Sequence, residues 1–276
     1  MTVAEALRDA TARLADNGDT ARIDAEMLMA HALGMSRSDM LLKAMRDPTP
    51  ADFADMVERR ASHEPVAYIV GQKEFYGLDF TVRPGVLIPR GDSETIVRAA
   101  LDRAPRARRV LDLGVGSGAL LLATLSEMPK AEGVGVDASP VAIDVATGNA
   151  QSLGLGDRVD FLRASWRNIG WRDALGRFDL VLCNPPYVED DAALDPDVRD
   201  FEPGEALFAG REGLDDYRLL LPQLAWLLDD SGVAVFEIGY RQADAVSQIA
   251  AGNGFETELR RDLADRPRAL ILRRIP

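Results

Sequence analysis

The segment Asn184-Pro185-Pro186-Tyr187 could do chemistry on a flat nitrogen group. It follows the apolar run 178–183, which predicts a buried strand, and open α/β sheets bind ligands at the carboxyl ends of their strands. Because proline lacks a backbone N–H, the Asn184 carboxamide and the Pro185 carbonyl offer two acceptors to one NH₂ group, with Tyr187 as a flat wall. We interpret the segment as a site for a planar amide or an exocyclic amine; the alternative is a proline-stiffened loop without chemistry.

A second candidate site is the glycine-rich turn in which Asp112 is followed by Gly114, Gly116 and Gly118. Glycines let the main chain adopt positive φ and approach a ligand closely. Asp137 ends the next predicted strand, the usual position of an acid that accepts ribose hydroxyls. Together these residues predict a nucleoside-containing cofactor; for Asp137 alone, the alternative is a helix N-cap.

Two cofactors compete for this turn. The spacing of Gly114, Gly116 and Ala119 satisfies the dinucleotide fingerprint with its permitted final alanine, so NAD must be weighed. Asp112 would place negative charge against a pyrophosphate, whereas it suits the ammonium group of S-adenosylmethionine. The loop at Asn184 also suits a planar NH₂ rather than a hydride acceptor. We therefore predict S-adenosylmethionine as the cofactor and S-adenosylhomocysteine as its product.

The elements that position these motifs alternate between strands and helices. Strands are predicted at 110–113, 134–137, 159–162, 180–183 and 233–238. This alternation indicates an α/β, Rossmann-like fold with a mostly parallel sheet covered on both faces. The runs 255–259 and 269–273 are joined by too short a segment for a crossover helix, so the seventh and last strand is predicted to be antiparallel.

The N-terminal region has a different organisation. Residues 1–67 predict a small helical bundle, residues 68–90 a β-hairpin linker, and residues 91–276 the α/β domain. The acidic stretch 189–200 is predicted to be a solvated, mobile loop, with a lid role left open. Two helical faces are predicted in the bundle, the first formed by Val3, Leu7, Ala10 and Leu14 and the second by Ile23, Met27, Ala30 and Leu33.

Composition narrows the class of protein. Acidic residues outnumber basic ones by 45 to 32, for a net charge of −13. Because nucleic-acid binding depends on Lys and Arg that neutralise phosphates, we do not expect an extended nucleic-acid-binding surface. We expect neither a transmembrane helix nor a secretory signal, and the single cysteine, Cys183, makes the cytoplasm the expected compartment. His31 and His63 have no third ligand type nearby, so no metal is expected.

Several motifs, taken in order, resemble the bacterial N5-glutamine methyltransferases that modify peptide chain release factors. The sequence departs from that family at Gly91 and Ser93, where Pro and Thr are usual, and at Ser165, where an Asp is usual. The motifs that carry the resemblance are Asp24-Ala25-Glu26-Met27-Leu28-Met29-Ala30-His31, Glu64-Pro65, Glu74-Phe75-Tyr76-Gly77-Leu78, Val86-Leu87-Ile88-Pro89-Arg90, Glu202-Pro203, and Glu237-Ile238-Gly239 with Gln242.

The resemblance implies a class I methyltransferase fold, S-adenosylmethionine as methyl donor, and the glutamine of the Gly-Gly-Gln loop of class-1 release factors as substrate. It also implies that residues 1–67 recognise the protein substrate. Ser165 would accept from adenine more weakly than a carboxylate. The implied site residues are Asp112, Gly114, Gly116, Gly118, Asp137, Ser165, Trp166 and Asn184 for the donor, and Asn184, Pro185, Pro186, Tyr187, Arg90 and Glu94 for the substrate, with Asn184, Pro185 and Tyr187 as the catalytic set.

Two other functions are considered. An adenine-N6 methyltransferase acting on DNA or RNA would use the same Asn-Pro-Pro-Tyr chemistry, but it predicts a basic groove or a large target-recognition domain, and the charge of −13 argues against both. A catalytically silent donor-binding module is disfavoured by the intact Asn184 and Tyr187. A methyl-transfer assay distinguishes this module from an enzyme.

Overall fold

The computed structural model describes residues 1–275, and all seven predicted strands of the main sheet form. β1 and β2 make a separate two-stranded sheet, and the other strands form one sheet in the order β5-β4-β3-β6-β7-β9-β8. The strands are β1 (Gln72–Phe75), β2 (Leu78–Thr81), β3 (Arg109–Leu113), β4 (Glu132–Asp137), β5 (Val159–Arg163), β6 (Phe178–Cys183), β7 (Leu228–Glu237), β8 (Phe255–Arg261) and β9 (Pro267–Arg274). Strands β3 to β7 pair in parallel, and β9 is antiparallel to β7 and β8. The predicted α/β sheet with an antiparallel last strand is confirmed.

Helices from the part of the chain that forms this sheet cover both of its faces. The helices are α1 (Val3–Arg13), α2 (Ala21–Ala32), α3 (Arg37–Asp39), α4 (Phe53–Ala61), α5 (Val66–Val70), α6 (Glu94–Arg103), α7 (Ala119–Glu127), α8 (Pro140–Ser152), α9 (Pro196–Phe201), α10 (Asp215–Leu227) and α11 (Ala243–Gly252). Strand β6 shows how the layers form. Leu180 and Leu182 pack into one buried cluster with α6 and α7, whereas Val181 and Cys183 pack into the other with α10 and α11, since successive strand residues point to opposite faces.

The described residues fall into two compact units. The first comprises Met1–Gln72 with Leu194–Glu202, and the second comprises Lys73–Ala193 and the residues from Pro203 onward. In the first unit, helix α1 buries the predicted face of Val3, Leu7, Ala10 and Leu14. None of the helices within residues 1–275 has the length and apolar character needed to cross a membrane.

The predicted buried face of α2 is only partly right, because Ala30 is buried but Ile23 and Met27 are not. Ile23 and Met27 are 47% and 40% exposed, and the helix instead buries Ala25 and Leu28. The physical reason is a buried ion pair on the inward face, where Arg60 Nε lies 2.7 Å from Asp24 Oδ2. A carboxylate can be buried when a cation compensates its charge. A polar residue therefore occupies a place that the periodicity assigned to the surface.

Two other expectations need correction. The predicted hairpin segment starts at Tyr68, but residues 66–70 form α5, which ends where Gly71 adopts φ 78°, so the strands span only 72–81. The acidic stretch 189–200 is not simply a solvated loop. It contains α9, and its residues from Leu194 onward belong to the first unit, where Asp197 lies 3.7 Å from Arg60 Nη1.

Candidate active site

Three strand ends converge on one cavity of the second unit. Leu113, the last residue of β3, is in register with Val136 of β4 and with Cys183 of β6. The loops that follow these strands consequently leave the sheet side by side. They enclose a cavity of about 600 Å³ whose wall includes Asp112, Asp137 and Asn184. The structure thus brings the two candidate sites of the sequence together at one edge of the sheet.

The glycine-rich turn forms the floor of this cavity. The amides of Gly114 and Val115 both donate to the Val136 carbonyl, at 2.8 and 3.0 Å, which ties the turn to β4. Gly114 has φ 76°, and a Cβ there would lie 3.4 Å from the Trp166 indole. Positive φ together with close packing makes glycine the residue that fits here. Gly116 also lies on the cavity wall, whereas Gly118 is not among the lining residues and caps α7.

Asp112 is a buried carboxylate without a hydrogen-bond partner. It is 1% exposed, and neither carboxylate oxygen accepts a hydrogen bond from residues 1–275. Burial raises the pKa of Asp112 well above its ordinary value; the Leu121 main chain opposes this rise and the neighbouring Asp137 carboxylate adds to it. An unpaired buried carboxyl is costly, and a cationic ligand would compensate it. The ammonium group of S-adenosylmethionine fits this requirement.

Asp137 is held rigidly at the opposite side of the turn. Its Oδ1 accepts from the amide of Ser139 and its Oδ2 from the amide of Gly116, both at 2.9 Å. Burial raises the pKa of Asp137, and these main-chain donors oppose the rise. A carboxylate oxygen has more than one acceptor position, so both oxygens keep capacity for the hydroxyls of a ribose. The cavity residues therefore fit both ends of the methyl donor.

Trp166 and Ser165 line the same cavity after β5. The Trp166 indole Nε1 donates to Asp216 Oδ1 at 2.7 Å, and the Arg167 guanidinium reaches both oxygens of Asp216 at 2.8 Å. Asp216 is completely buried and also borders the cavity. The sequence did not single out Asp216, because an acidic residue in the first turn of a helix is already explained by its favourable interaction with the helix dipole.

The Asn-Pro-Pro-Tyr segment is only partly exposed to the cavity. Asn184 and Pro186 line it, whereas Pro185 and Tyr187 are not among its lining residues. The Tyr187 hydroxyl instead donates to Glu237 Oε1 at 3.2 Å, and its amide donates to the Leu207 carbonyl at 3.1 Å. The stacking role expected of Tyr187 stays a prediction.

The two residues expected at the mouth of the site occupy different positions. Arg90 lies on the cavity wall, but Glu94 is not among the lining residues. Glu94 Oε1 accepts from the Tyr76 amide at 3.3 Å, and its Oε2 lies 2.5 Å from Arg98 Nη2. Glu94 thus already has partners at the start of α6. Across residues 1–275, no three or more His, Cys, Asp or Glu side chains are grouped so as to hold a metal ion.

Comparisons with known proteins identify the family. Residues 5–71 match the PrmC N-terminal domain and residues 106–202 match a methyltransferase domain. The release factor glutamine methyltransferase of Geobacter sulfurreducens is 43% identical, with 88% of this chain and 86% of that protein covered. The protein of the same name from Caulobacter vibrioides is 39% identical, with 98% and 96% covered.

Solved structures show the same fold. A methyltransferase from Pyrococcus furiosus has a TM-score of 0.53 at 16% identity, with 71% of this chain and 88% of that chain covered. A ribosomal protein L11 methylase from Lactobacillus delbrueckii subsp. bulgaricus has a TM-score of 0.50 at 24% identity, with 71% and 84% covered. These likenesses show that the sheet described above has the class I methyltransferase fold. With the relatives' identity over most of its length, the chain belongs to the release factor glutamine methyltransferase family.

Proposed function

We propose that this chain methylates the side-chain amide nitrogen (N5) of the glutamine in the Gly-Gly-Gln loop of class-1 peptide chain release factors. The observation that carries the proposal is the position of Asn184 on the same cavity wall as Asp112 and Asp137. A group that accepts from a planar NH₂ and the groups suited to the methyl donor therefore face one space. The family relationship supports the same substrate.

Asp112 and Asp137 would hold the donor. Asp112 would meet its ammonium group, Asp137 would meet its ribose hydroxyls, and Ser165 and Trp166 would border the adenine. When bound, S-adenosylmethionine supplies an electrophilic methyl group, and S-adenosylhomocysteine is the product. The role of the turn at Gly114 and Gly116 is to bring main chain close to the donor without side-chain interference.

Asn184 and Pro185 would orient the acceptor. An amide nitrogen is a weak nucleophile because its lone pair is delocalised. Asn184 Oδ1 and the Pro185 carbonyl accept its two N–H bonds, which aims the nitrogen at the methyl group. The same two oxygens stabilise the positive charge that develops on nitrogen. Positioning and electrostatics would supply the rate enhancement. As the new C–N bond forms, the bond between sulfur and the methyl carbon would break, and the extra proton on nitrogen would then pass to solvent water. Tyr187 is proposed to stack on the amide plane, and Arg90 and Glu94 to shape the mouth of the site.

The helical bundle is proposed to bind the protein substrate. A single glutamine side chain offers little surface for recognition, so most of the binding energy must come from contacts elsewhere. The bundle matches a family model of its own, distinct from the methyltransferase domain. Helix α2 presents Ile23 and Met27 at its surface, and exposed apolar residues of this kind suit a protein partner.

Mass spectrometry of a release factor incubated with the enzyme and isotope-labelled donor tests the proposal. We expect the labelled mass of one methyl group on the loop glutamine and nowhere else in the protein. The same incubation with DNA and with RNA tests the adenine alternative. Label on adenine with none on the release factor would overturn the proposed function.

A further inference from the structure

The motif Glu237-Ile238-Gly239 with Gln242 has no role in the chemistry above, yet it contacts the Asn-Pro-Pro-Tyr segment. Glu237 is the last residue of β7, and Gln242 immediately precedes α11. Strand β7 pairs in parallel with β6, where Phe236 is in register with Cys183. The chain therefore leaves β7 beside the point at which the Asn-Pro-Pro-Tyr segment leaves β6. That adjacency places the side chains of Glu237 and Gln242 against Tyr187.

Gln242 holds the main chain of Tyr187. Its Nε2 donates to the Tyr187 carbonyl at 3.0 Å and to the Gly213 carbonyl at 3.1 Å, and its Oε1 accepts from the Gly239 amide at 3.0 Å. Gly213 adopts φ 65°, and a Cβ there would lie 2.3 Å from the Tyr187 carbonyl oxygen. One carboxamide thus joins three loops at a place where the backbones approach too closely for a side chain at residue 213.

Glu237 holds the other end of Tyr187. The Tyr187 hydroxyl donates to Glu237 Oε1 at 3.2 Å, and burial raises the pKa of Tyr187, so the phenol stays a donor. Glu237 is 1% exposed. Its main-chain carbonyl accepts from the Tyr217 hydroxyl at 2.7 Å, which fixes the backbone that presents the carboxylate. Tyr187 is consequently held at its side-chain hydroxyl and at its main-chain carbonyl.

We propose that Glu237 and Gln242 are positioning residues that fix the Asn-Pro-Pro-Tyr segment for methyl transfer through their hydrogen bonds to Tyr187. The inference rests on the proposed function, because it assumes that Asn184 and Pro185 hold the substrate amide. Neither residue lines the cavity, and in this proposal both act on the site through Tyr187. Their loss should lower kcat while leaving the affinity for the donor unchanged.

The charge state of Glu237 predicts a pH dependence of kcat that a purely structural role would not produce. Burial raises the pKa of Glu237 to about 7, an effect that the Ser93 hydroxyl, Arg268 and Tyr187 oppose and Asp92 reinforces. Arg268 approaches Oε1 from β9 at 4.0 Å and pairs with Asp92 at 2.7 Å and with Asp262 at 3.4 Å. Cys183, at the end of β6, also lies within electrostatic reach. An ionised Glu237 accepts the tyrosyl hydrogen bond more strongly than a protonated one. The contribution of Glu237 to the positioning of Tyr187 is therefore present above about pH 7 and is lost as the pH falls below that value.

The first experiment compares kcat–pH profiles for release factor methylation. In the wild type we expect kcat to rise severalfold through about pH 7. Glu237→Gln and Tyr187→Phe should each remove this step, and the double variant should be no worse than either single one, since coupled residues are not additive. Glu132→Gln, an exposed residue at the start of β4, is the control that should keep the wild-type profile.

The second experiment examines Gln242→Glu, which keeps the size of the side chain but cannot donate to the Tyr187 carbonyl. We expect kcat to fall about tenfold or more, with the donor Kd from calorimetry within about twofold of the wild type. Asn253→Asp is the matched control, because Asn253 donates from its carboxamide to a main-chain carbonyl at 2.8 Å away from Tyr187. Its kcat should remain that of the wild type.

The outcomes separate the two proposals. An inactive wild type on every class-1 release factor would overturn the proposed function, and this inference with it. A wild type that methylates the glutamine while Glu237→Gln keeps its pH step, and Gln242→Glu keeps its kcat, would overturn the inference alone. Should either variant fold poorly, Tyr187→Phe still tests the pH step, since only a hydroxyl is removed.

Discussion

At the scale of single residues, the proposed role of Asp112 would link donor binding to protonation. Burial raises its pKa well above the ordinary value, so at a pH between the unfolded and the folded pKa the protein without donor holds a proton there that the unfolded chain releases. Stability from this group is complete below the unfolded pKa and is lost as the pH rises through the folded pKa. An ammonium group at Asp112 favours the ionised carboxylate, so binding of the donor should expel the proton.

Calorimetry in buffers of different ionisation enthalpy measures this coupling. At a pH between the unfolded pKa and the donor-free folded pKa of Asp112, we expect donor binding by the wild type to release a proton, and Asp112→Asn to release fewer protons. The variant should also bind the donor roughly tenfold or more weakly, as expected for a lost charge-assisted hydrogen bond, and should melt at a higher temperature without donor. Equal proton release by both proteins would refute the assignment of Asp112.

Asp137 should behave differently from Asp112, because both of its oxygens already accept main-chain hydrogen bonds. Asp137→Ala removes the anchor of the Gly116 amide together with the acceptors proposed for ribose. We expect a weaker donor Kd by at least about tenfold, with little change in kcat at saturating donor. A donor Kd equal to that of the wild type would rule out the ribose assignment.

At the scale of elements, the strands follow from the sequence because their apolar runs and short connections leave few alternatives. The helical periodicity of apolar residues could not by itself show which face of α2 is buried. Asp24 on the buried face is neutralised by Arg60, which lies 36 residues further along the chain. The same limit hid Asp216, and it left Glu237 and Gln242, which the sequence analysis named only as part of a motif, without a role. Each is a polar residue whose partners come from other elements, so its importance depends on packing that a linear pattern does not contain.

The Asp24–Arg60 pair makes a prediction about the bundle. Arg60→Met should destabilise the first unit by about 3–5 kcal/mol, because it leaves a buried carboxylate unpaired. Adding Asp24→Asn should restore much of that loss, as removal of both charges removes the penalty. Chemical denaturation followed by circular dichroism measures both changes. A double variant less stable than Arg60→Met would contradict this explanation of the buried face of α2.

At the scale of the whole molecule, the net charge of −13 disfavours a broad phosphate-binding surface, and we propose that the bundle recognises the protein substrate. Replacing Ile23 and Met27 by serine should raise KM for an intact release factor severalfold, since removal of apolar contacts weakens docking. KM for a short Gly-Gly-Gln peptide should not change. Equal effects on both substrates would show that these side chains act on the fold rather than on docking.

The most direct test of the central claim is the turnover of Asn184→Ala on a release factor at saturating donor. If Asn184 Oδ1 orients the amide nitrogen, kcat should fall by roughly 10²-fold or more, as for the loss of one preorganised dipole in other active sites. The donor Kd should change little. Turnover within a few-fold of the wild type, with the donor bound normally, would contradict the claim that this carboxamide holds the reacting nitrogen.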